Sequence, residues 1–418
     1  MPAQTFDADI TQTFQSLKDD SNVQSLMRFV KDNLSASIEI QKELALIEAP
    51  SFHEEKKARR YAQLLTEAGL EDVTITDEFN VYGFIRGTGN TGCSVLLEAH
   101  LDTVFAFGDV KGVTVDDDGR IHCPGICDDT RALAANLNVL QALKAADIKP
   151  VHDIIIAATV CEEGLGGMRG MSTLFKTLEN KTRVLASLSI DGPTNNVFYA
   201  NATGVTDWKM TFKGAGGHAW TANKTPSAVH AAARAIAKLA DLDLPSDPKT
   251  TFTASMISGG QAIHAIAQEA YFTINTRSNG QAALDAVNEA IKKACYDACR
   301  EENALYPQAT PVTVTMEVLL EVPAGSQAET CRIIQAAKVA TSTLGVTAQL
   351  NPGGCTNANI PIALGIPAVT FGRGGLEYGT HTLDEWFDPK GVEVCEQKSI
   401  LMLLAIAGIS GQSEPLPL

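Results

Sequence analysis

The sequence of 418 residues lacks a long hydrophobic run and is poor in basic residues relative to its acidic ones. Its longest apolar runs, 154–160 and 400–409, are much shorter than the roughly 20 residues that a helix needs to cross a bilayer, so we expect no membrane span. The 33 Lys and Arg residues against 49 Asp and Glu residues give a net charge of −16. Because nucleic-acid backbones and anionic membrane surfaces repel such a protein, neither is an expected partner.

The sequence also lacks the marks of a secreted protein. Its nine cysteines are odd in number and scattered along the chain, unlike a disulfide framework. The first thirty residues contain Asp7, Asp9 and Lys18 and no apolar core of the kind that a signal peptide needs. Both absences predict a cytoplasmic location.

Hydrophobic residues make up 45 % and charged residues 20 % of the chain, which excludes disorder and allows a sizeable core. Strands alternate with helices in the first and last parts, which predicts an α/β fold with a mixed, mainly parallel sheet flanked by helices. The middle part reads strand, helix, two strands, helix, strand, which predicts an inserted α+β sandwich. We therefore expect one domain made of residues 1–203 and 323–418, with a smaller domain, residues 204–322, inserted between them.

A glycine-rich segment at 87–92 matches the dinucleotide-binding pattern G-x-G-x-x-G. That pattern binds a pyrophosphate only where a strand leads into a helix, whose N-terminal amides hold the phosphates. Here the glycines lie between two predicted strands, 81–86 and 94–100. We interpret the segment as a hairpin connection rather than a nucleotide site.

A histidine and an aspartate stand at the end of the second of these strands. His100 and Asp102 are two residues apart, so on a strand both side chains point to the same face. A metal-binding histidine usually passes its second ring N–H to a carboxylate, which fixes its orientation. Surface polarity is the alternative explanation of this pair taken alone.

Two neighbouring carboxylates, Asp128 and Asp129, precede the helix predicted from Arg131. They are candidate metal ligands, and the alternative is that they cap the helix and meet its dipole. The nearby Cys123 and Cys127 suggest a thiolate zinc site, but no second cysteine pair follows at a suitable spacing.

Two further carboxylates, Glu162 and Glu163, follow the buried strand run 154–160. Open α/β sheets bind their ligands at the carboxyl ends of strands. Because neighbouring residues point in different directions, one carboxylate can bind a metal while the other faces a substrate water. A solvated loop is the alternative.

The same arrangement recurs where the predicted strand 185–190 ends in an aspartate, and a second histidine lies late in the chain. Together the motifs supply two imidazoles and three carboxylates: His100, Asp128, Glu163, Asp191 and His381. Such a set, without thiolates, suits two Zn²⁺ ions bridged by one carboxylate, with Co²⁺ or Mn²⁺ as substitutes.

The ordered motifs resemble those of the co-catalytic zinc exopeptidases and deacylases of metallopeptidase clan MH, family 20, which includes peptidase T and carboxypeptidase G. The resemblance covers nearly the whole chain and is carried by His100-Leu-Asp102, Asp128-Asp129, Glu162-Glu163-Gly, Asp191-Gly-Pro, Gly216-Gly-His218, Gly353-Gly-Cys-Thr-Asn and Gly379-Thr-His381. It implies a zinc-exopeptidase-like fold whose inserted domain serves as a lid and dimerisation domain.

The resemblance also implies how the ligands are shared. His100 and Asp191 would hold one zinc ion, Glu163 and His381 would hold the other, and Asp128 would bridge the two ions.

Four more residues receive roles from the same resemblance. Asp102 would orient the first histidine, and Glu162 would act as general base on the attacking water. His218, in the inserted domain, would stabilise the oxyanion in its own or a partner subunit's active site. Arg277, also in the inserted domain, would grip a substrate carboxylate.

The chain departs from the family pattern near other substrate-binding positions. Ala262-Ile-His264 stands where the family often has an asparagine, which makes His264 a substitute substrate contact. The late Gly-Gly-Thr-Asp pattern appears here as Gly354-Cys-Thr-Asn357, and Gly354 and Asn357 are expected to bind substrate. An aspartate at position 191, rather than a glutamate, resembles the aminopeptidase and dipeptidase branches.

We therefore expect a dinuclear-zinc hydrolase that cleaves an amide bond at the end of short peptides, as peptidase T does. Two alternatives stay open: an N-acyl-amino-acid deacylase or carboxypeptidase with the same site, and a non-catalytic, metal-free binding protein of the same fold. The expected partners are a short peptide or an N-acyl amino acid and, through the inserted domain, a second copy of the chain.

Overall fold

The computed structural model describes residues 6–351 and 353–418. The chain forms two compact units. The first unit combines the residues up to Asn201 with Gln327–Leu418, and the second unit is Ala202–Ser326.

Helices and strands alternate along most of the described chain. The helices are α1 Ala8–Asp19, α2 Ser21–Asp32, α3 Leu34–Ala45, α4 Glu55–Glu67, α5 Thr130–Ala145, α6 Arg169–Leu178, α7 Ala228–Ala240, α8 Gln281–Ala304, α9 Arg332–Thr343, α10 Asn359–Ala363 and α11 Glu393–Ala407. The strands are β1 Glu71–Ile75, β2 Val81–Ile85, β3 Cys93–His100, β4 Thr114–Val115, β5 Ile121–His122, β6 Asp153–Thr159, β7 Arg183–Gly192, β8 Val197–Tyr199, β9 Gly204–Lys213, β10 Gly217–His218, β11 Thr250–Gly259, β12 Ala265–Ile266, β13 Glu269–Ser278, β14 Thr313–Val322, β15 Gln349–Asn351, β16 Ala368–Gly372, β17 Leu376–Tyr378 and β18 Trp386–Asp388.

The first unit is built on an eight-stranded sheet with the order β1-β2-β6-β3-β7-β16-β8-β15. The four central strands β6, β3, β7 and β16 are parallel to one another. The pairs β1–β2, β2–β6 and β16–β8 are antiparallel. The prediction of a mixed, mainly parallel sheet is therefore confirmed.

Apolar side chains bury the central strands on both faces. Val95, Leu97 and Ala99 of β3 join a core to which α5 and α11 contribute many apolar side chains. Since successive side chains of a strand point to opposite faces, the opposite face of β3 receives Leu96, Glu98 and His100. The polar end of β3 therefore lies on the face away from α11.

A small four-stranded antiparallel sheet, β17-β18-β5-β4, completes the first unit. Ile121 of β5 and Phe387 of β18 pack in one apolar cluster with Ile126 and Cys127. The strands are two or three residues long, too short to show periodicity, and the sequence did not predict this sheet. It brings residues near 380 and near 125 together.

The second unit is a four-stranded antiparallel sheet with the order β11-β13-β9-β14 and two helices, α7 and α8. Alternate residues of β9, from Trp208 to Phe212, pack with β13 and with both helices in one core. A two-stranded ribbon of β10 and β12 belongs to the same unit. This architecture agrees with the α+β sandwich predicted for the middle of the chain.

One connection differs from the prediction. Residues 87–92 join β2 to β3, but these strands do not pair, because β6 lies between them and pairs with both. The hairpin interpretation of this glycine-rich segment is therefore wrong. A strand, β3, follows the glycines, so the segment lacks the helix N-terminus that a dinucleotide site needs.

The helices of the described chain, residues 6–351 and 353–418, include none that is both long enough and apolar enough to cross a bilayer.

Candidate metal centre and active site

Three neighbouring parallel strands bring four of the expected site residues to one edge of the large sheet. β3 ends at His100, β7 carries Asp191 near its end, and Glu162 and Glu163 follow the end of β6 after two residues. Because parallel strands present their carboxyl ends at the same edge, residues from distant parts of the sequence meet there.

Asp128 lies between the two histidines. Its Oδ1 is 3.1 Å from Nε2 of His100, and its Oδ2 is 3.2 Å from Nε2 of His381. On the first side Asp191 follows, with Oδ1 3.8 Å from His100 Nε2. On the second side Glu163 follows, with Oε1 2.9 Å from His381 Nε2. Each oxygen of Asp128 thus faces its own histidine and its own second carboxylate.

Backbone and carboxylate groups fix the ring of His100. Its Nδ1 lies 3.0 Å from the main-chain carbonyl of Asp102 and 3.5 Å from the carboxylate of the same residue. The backbone N–H of His100 donates to Oδ2 of Asp129. With Nδ1 donating to the carbonyl, Nε2 is the ring nitrogen that faces Asp128, and it is the nitrogen that would bind a metal ion.

The carboxylate of Asp102 holds the next part of the site. Its two oxygens accept the backbone N–H groups of Glu162 and Glu163, each at 3.0 Å. The hydroxyl of Ser51 donates to it at 2.7 Å. Asp102 therefore fixes the two glutamates as well as the histidine.

Glu162 is 8 % exposed. Burial, and then the negative charge of Asp191, raise the pKa of Glu162 well above its ordinary value. The preceding residue, Cys161, has φ of +54°, in the left-handed region that L residues rarely adopt. Its backbone N–H donates to Glu54 at 2.9 Å, so a buried carboxylate supports this turn.

His381 lies in the hairpin loop between β17 and β18 and has φ of +67°. Hydrogen bonds to Asp128 and Glu163 raise the pKa of His381 to about 10 despite partial burial. The side chain is half exposed, so this edge of the site is open.

Two residues that the sequence did not single out complete the site. Arg373 follows β16 and is 3 % exposed, with Nη1 2.8 Å from Asp128, 3.1 Å from Asp191 and 3.3 Å from Asp129. Burial would raise the pKa of Asp128, but Arg373 and the two histidines outweigh it and hold the pKa well below its ordinary value. A basic residue directly after a central strand was the available signal.

Glu385 is the second such residue. Its carboxylate accepts the backbone N–H groups of Gly125 at 2.7 Å, Cys127 at 2.8 Å and Asp128 at 3.3 Å. Burial raises the pKa of Glu385 to about 7, against the effect of these hydrogen bonds. It pins the loop that carries Asp128, and its place four residues after His381 was the signal in the sequence.

Two expected substrate contacts lie in the first unit. The side-chain amide of Asn357 is buried and donates to Glu98 at 2.9 Å and to Thr159 at 2.8 Å. A Cβ at Gly354 would meet the ring of Tyr199 at 2.6 Å, so glycine is required by packing there. In this structure Asn357 points into the interior, and its substrate-binding role stays a prediction.

The other three expected contacts belong to the second unit. His218 and His264 are exposed on the β10–β12 ribbon, with ring centroids 6.4 Å apart. Arg277 is exposed near the far end of β13, where it pairs with Val205. The eight residue steps of strand from Glu269 to Arg277 span roughly 26 Å. Arg277 therefore lies far from both histidines within this unit.

The donor set of the first unit fits metal ions. Ligand atoms lie within 4.8 Å of one another in three groups: His100, Asp128, Asp129 and Asp191; His100, Glu162 and Glu163; and Asp128, Glu163 and His381. Imidazole nitrogens and carboxylate oxygens are typical ligands of zinc. The first and third groups share Asp128, which is the requirement for two ions with one bridging carboxylate.

Comparison with known proteins shows the family of this chain. Residues 96–404 match the family model described as peptidase family M20/M25/M40. A probable carboxypeptidase from Aspergillus terreus is 26 % identical over 243 residues, which are 55 % of this chain and 55 % of that protein. The chain thus spans about half the length of the curated relatives that it matches.

Two solved structures share the fold. Aminopeptidase PepT from Bacillus cereus matches with a TM-score of 0.73 and 22 % identity over 88 % of this chain and 97 % of that chain. The YXEP protein of Bacillus subtilis, described as a dinuclear metal binding peptidase, matches with a TM-score of 0.66 and 18 % identity over 90 % and 99 %. The family model covers well over half of the sequence, so the chain belongs to peptidase family M20/M25/M40, a family of metal-dependent hydrolases.

Proposed function

We propose that this protein is a dinuclear-zinc aminopeptidase that removes a terminal residue from short peptides. The supporting observation is the position of Asp128, whose two oxygens face His100 and His381 at 3.1 and 3.2 Å. A carboxylate that faces two separate ligand groups is suited to bridge two ions. His100 and Asp191 would hold one ion, and Glu163 and His381 the other.

Two bound divalent ions would supply Lewis acidity towards the scissile carbonyl and would lower the pKa of water at the centre. Glu162 removes the proton of the attacking water and returns it to the leaving nitrogen. Its burial supports this role, because a raised pKa brings a carboxylate closer to the operating pH of a general base. Asp102 keeps Glu162 in position through its hydrogen bond to the backbone.

The oxyanion that forms at the carbonyl needs a donor, and we assign this to His218. Nδ1 of His218 accepts the backbone N–H of Trp220 at 3.2 Å. A neutral imidazole that accepts at Nδ1 carries its proton on Nε2, so Nε2–H is available as the donor. Arg277 would bind a substrate carboxylate. Because it lies far from His218 within one chain, we propose that a homodimer supplies the two residues to one site from different copies.

The preference for a free amino terminus rests on Asp191 and on the shared fold with aminopeptidase PepT. The second candidate is a carboxypeptidase or N-acyl-amino-acid deacylase with the same centre. The names of three curated relatives, probable carboxypeptidases at 25 to 26 % identity, favour it.

A substrate panel tests both candidates. The full chain, loaded with Zn²⁺ or with Co²⁺, is given free di- and tripeptides, N-acetyl and N-succinyl amino acids, and peptides blocked at either end. E162Q is the matched control for a contaminating peptidase. We expect release of the amino-terminal residue from free tripeptides. Preferred cleavage of substrates with blocked amino termini would replace the aminopeptidase with the second candidate, and no hydrolysis by a folded, metal-loaded chain would contradict both.

A further inference from the structure

Arg373 places a fixed positive charge inside the carboxylate cluster. The side chain is 3 % exposed, and its Nη1 is 2.8 Å from Oδ1 of Asp128 and 3.1 Å from Oδ1 of Asp191. The same nitrogen is 3.3 Å from Oδ1 of Asp129. The guanidinium therefore neutralises part of a group of three carboxylates.

Two of the oxygens that Nη1 of Arg373 contacts also face His100. Oδ1 of Asp128 is 3.1 Å, and Oδ1 of Asp191 is 3.8 Å, from His100 Nε2. These three atoms are the ligand set of one of the two proposed metal positions, which we call the His100 position. The guanidinium nitrogen and a metal ion would thus use the same two oxygens.

The other position, formed by Asp128 Oδ2, Glu163 and His381, has a different electrostatic environment. In residues 6–351 and 353–418, no arginine or lysine forms an ion pair with Glu163. The half-exposed His381 is neutral when it binds a metal, so among the described residues the only arginine or lysine paired with a carboxylate of this position is Arg373, on Oδ1 of Asp128. We call this the His381 position.

Glu377 gives the guanidinium a second anionic partner outside the cluster. Nε of Arg373 is 2.9 Å from Oε2 of Glu377, and Nη2 is 3.5 Å from Oε1. An arginine held by a carboxylate on its Nε side still has an anionic partner when Nη1 is displaced from Asp128. Glu377 therefore keeps the guanidinium paired with a carboxylate if Nη1 is displaced from the cluster.

We propose that Arg373 competes with the metal ion for the His100 position, so that the His381 position loads first and the His100 position loads second and more weakly. This inference rests on the proposed dinuclear function. A divalent cation and a guanidinium repel each other when they share the same oxygens, and the metal must displace Nη1 before it binds. In the protein without metal, Arg373 offsets part of the negative charge of these carboxylates.

The test is metal binding by calorimetry with Co²⁺ alone on the metal-free full chain. R373M removes the charge and keeps a long apolar side chain, and R373K keeps a charge without the planar fork. R59M is the matched control, since Arg59 is an exposed arginine that pairs with Glu55. We expect two unequal sites in the wild type. In R373M the Co²⁺ affinity of the weaker site should rise by about tenfold or more, while that of the tighter site changes little. The affinity of the weaker site in R373K should lie between those of the wild type and R373M.

Thermal melting supplies a readout of the unloaded state. Without metal, R373M should have a lower Tm than the wild type, because three carboxylates lose their cation. Bound Co²⁺ should remove this difference in Tm. If R373M folds only with Co²⁺, the proposal is supported, because the metal then replaces the arginine. A variant that stays unfolded with Co²⁺ overturns it, because the arginine then has a structural role that metal does not replace.

Two outcomes of calorimetry count against the proposal in different ways. If the wild type binds two Co²⁺ ions and R373M binds both with unchanged or lower affinity, Arg373 is no competitor and the proposed dinuclear function stands. If the folded wild type binds no Co²⁺, both the proposed dinuclear function and this inference are contradicted.

Discussion

Asp102 and Glu162 are joined by a hydrogen bond of 3.0 Å in which the Asp102 carboxylate accepts the backbone N–H of Glu162. The second oxygen of Asp102 accepts the next N–H, that of Glu163, at the same distance. One buried carboxylate therefore sets the position of both the proposed base and a proposed metal ligand. The main-chain carbonyl of Asp102 holds the ring of His100.

The first prediction concerns this positioning. D102N keeps the shape of the side chain but presents an NH₂ group to one of the two backbone N–H donors, which leaves that donor unpaired. We expect kcat to fall about 10- to 100-fold with lower metal content, as is usual when a group that orients metal ligands is changed. Steady-state kinetics and metal analysis measure both effects. D118N, at an exposed carboxylate paired with Arg120, is the control, and equal activity in the two variants would contradict this role.

The second prediction separates chemistry from metal binding. E162Q should keep its metal and lose turnover by about 10²- to 10⁴-fold, because an amide does not take a proton from water. Metal analysis and kcat are compared with those of E39Q, a variant of an exposed glutamate on α3. Near-normal kcat in E162Q would remove Glu162 as the base.

The third prediction concerns the loop between β17 and β18. H381A should lower the bound metal from two ions to about one, because it removes a ligand from the more open side of the centre. The side chain is half exposed, so we expect the variant to fold. H122A is the matched control, since His122 pairs with Asp116 in the same small sheet. Unchanged metal content in H381A would show that another residue closes this position.

The fourth prediction is a pH dependence of stability. Lys57 on α4 is buried, with Nζ 3.4 Å from the Thr130 hydroxyl, and burial lowers the pKa of Lys57 to about 8 against the attraction of nearby carboxylates. Between pH 8 and 10.5 the unfolded chain binds a proton that the folded chain does not, so this residue makes stability rise with pH in that range. Below pH 8 the buried ammonium costs about 3 kcal/mol.

K57M removes the ionisable group and should be more stable than the wild type near pH 7. The difference in the free energy of unfolding should shrink as the pH rises from 8 to 10.5. Thermal or urea unfolding at several pH values measures it. K56M, at the exposed neighbouring lysine, should run parallel to the wild type throughout. A wild-type-minus-K57M difference that does not vary with pH would contradict the lowered pKa.

Much of the main fold was predictable because the hydrophobic pattern of short sequence segments indicates their strands and helices. The uninterrupted apolar run of β6, from Ile154 to Ala158, is typical of a strand buried on both faces, and α5 shows the composition of a buried helix. The predicted strands 94–100 and 185–190 appear as β3 and β7 with ends shifted by at most two residues. The first helix, α1, was not predicted.

The sequence by itself determined which residues stand at the carboxyl ends of parallel strands, and hence that His100, Glu163 and Asp191 meet at one edge of a sheet. Only the tertiary structure decided the rest of the site. Arg373 contacts Asp128 across 245 positions of sequence, and Glu385 contacts Cys127 across 258. The physical reason is that periodicity encodes which face of an element is buried. Which distant loop packs against that element depends on side-chain contacts formed only after the strands have assembled.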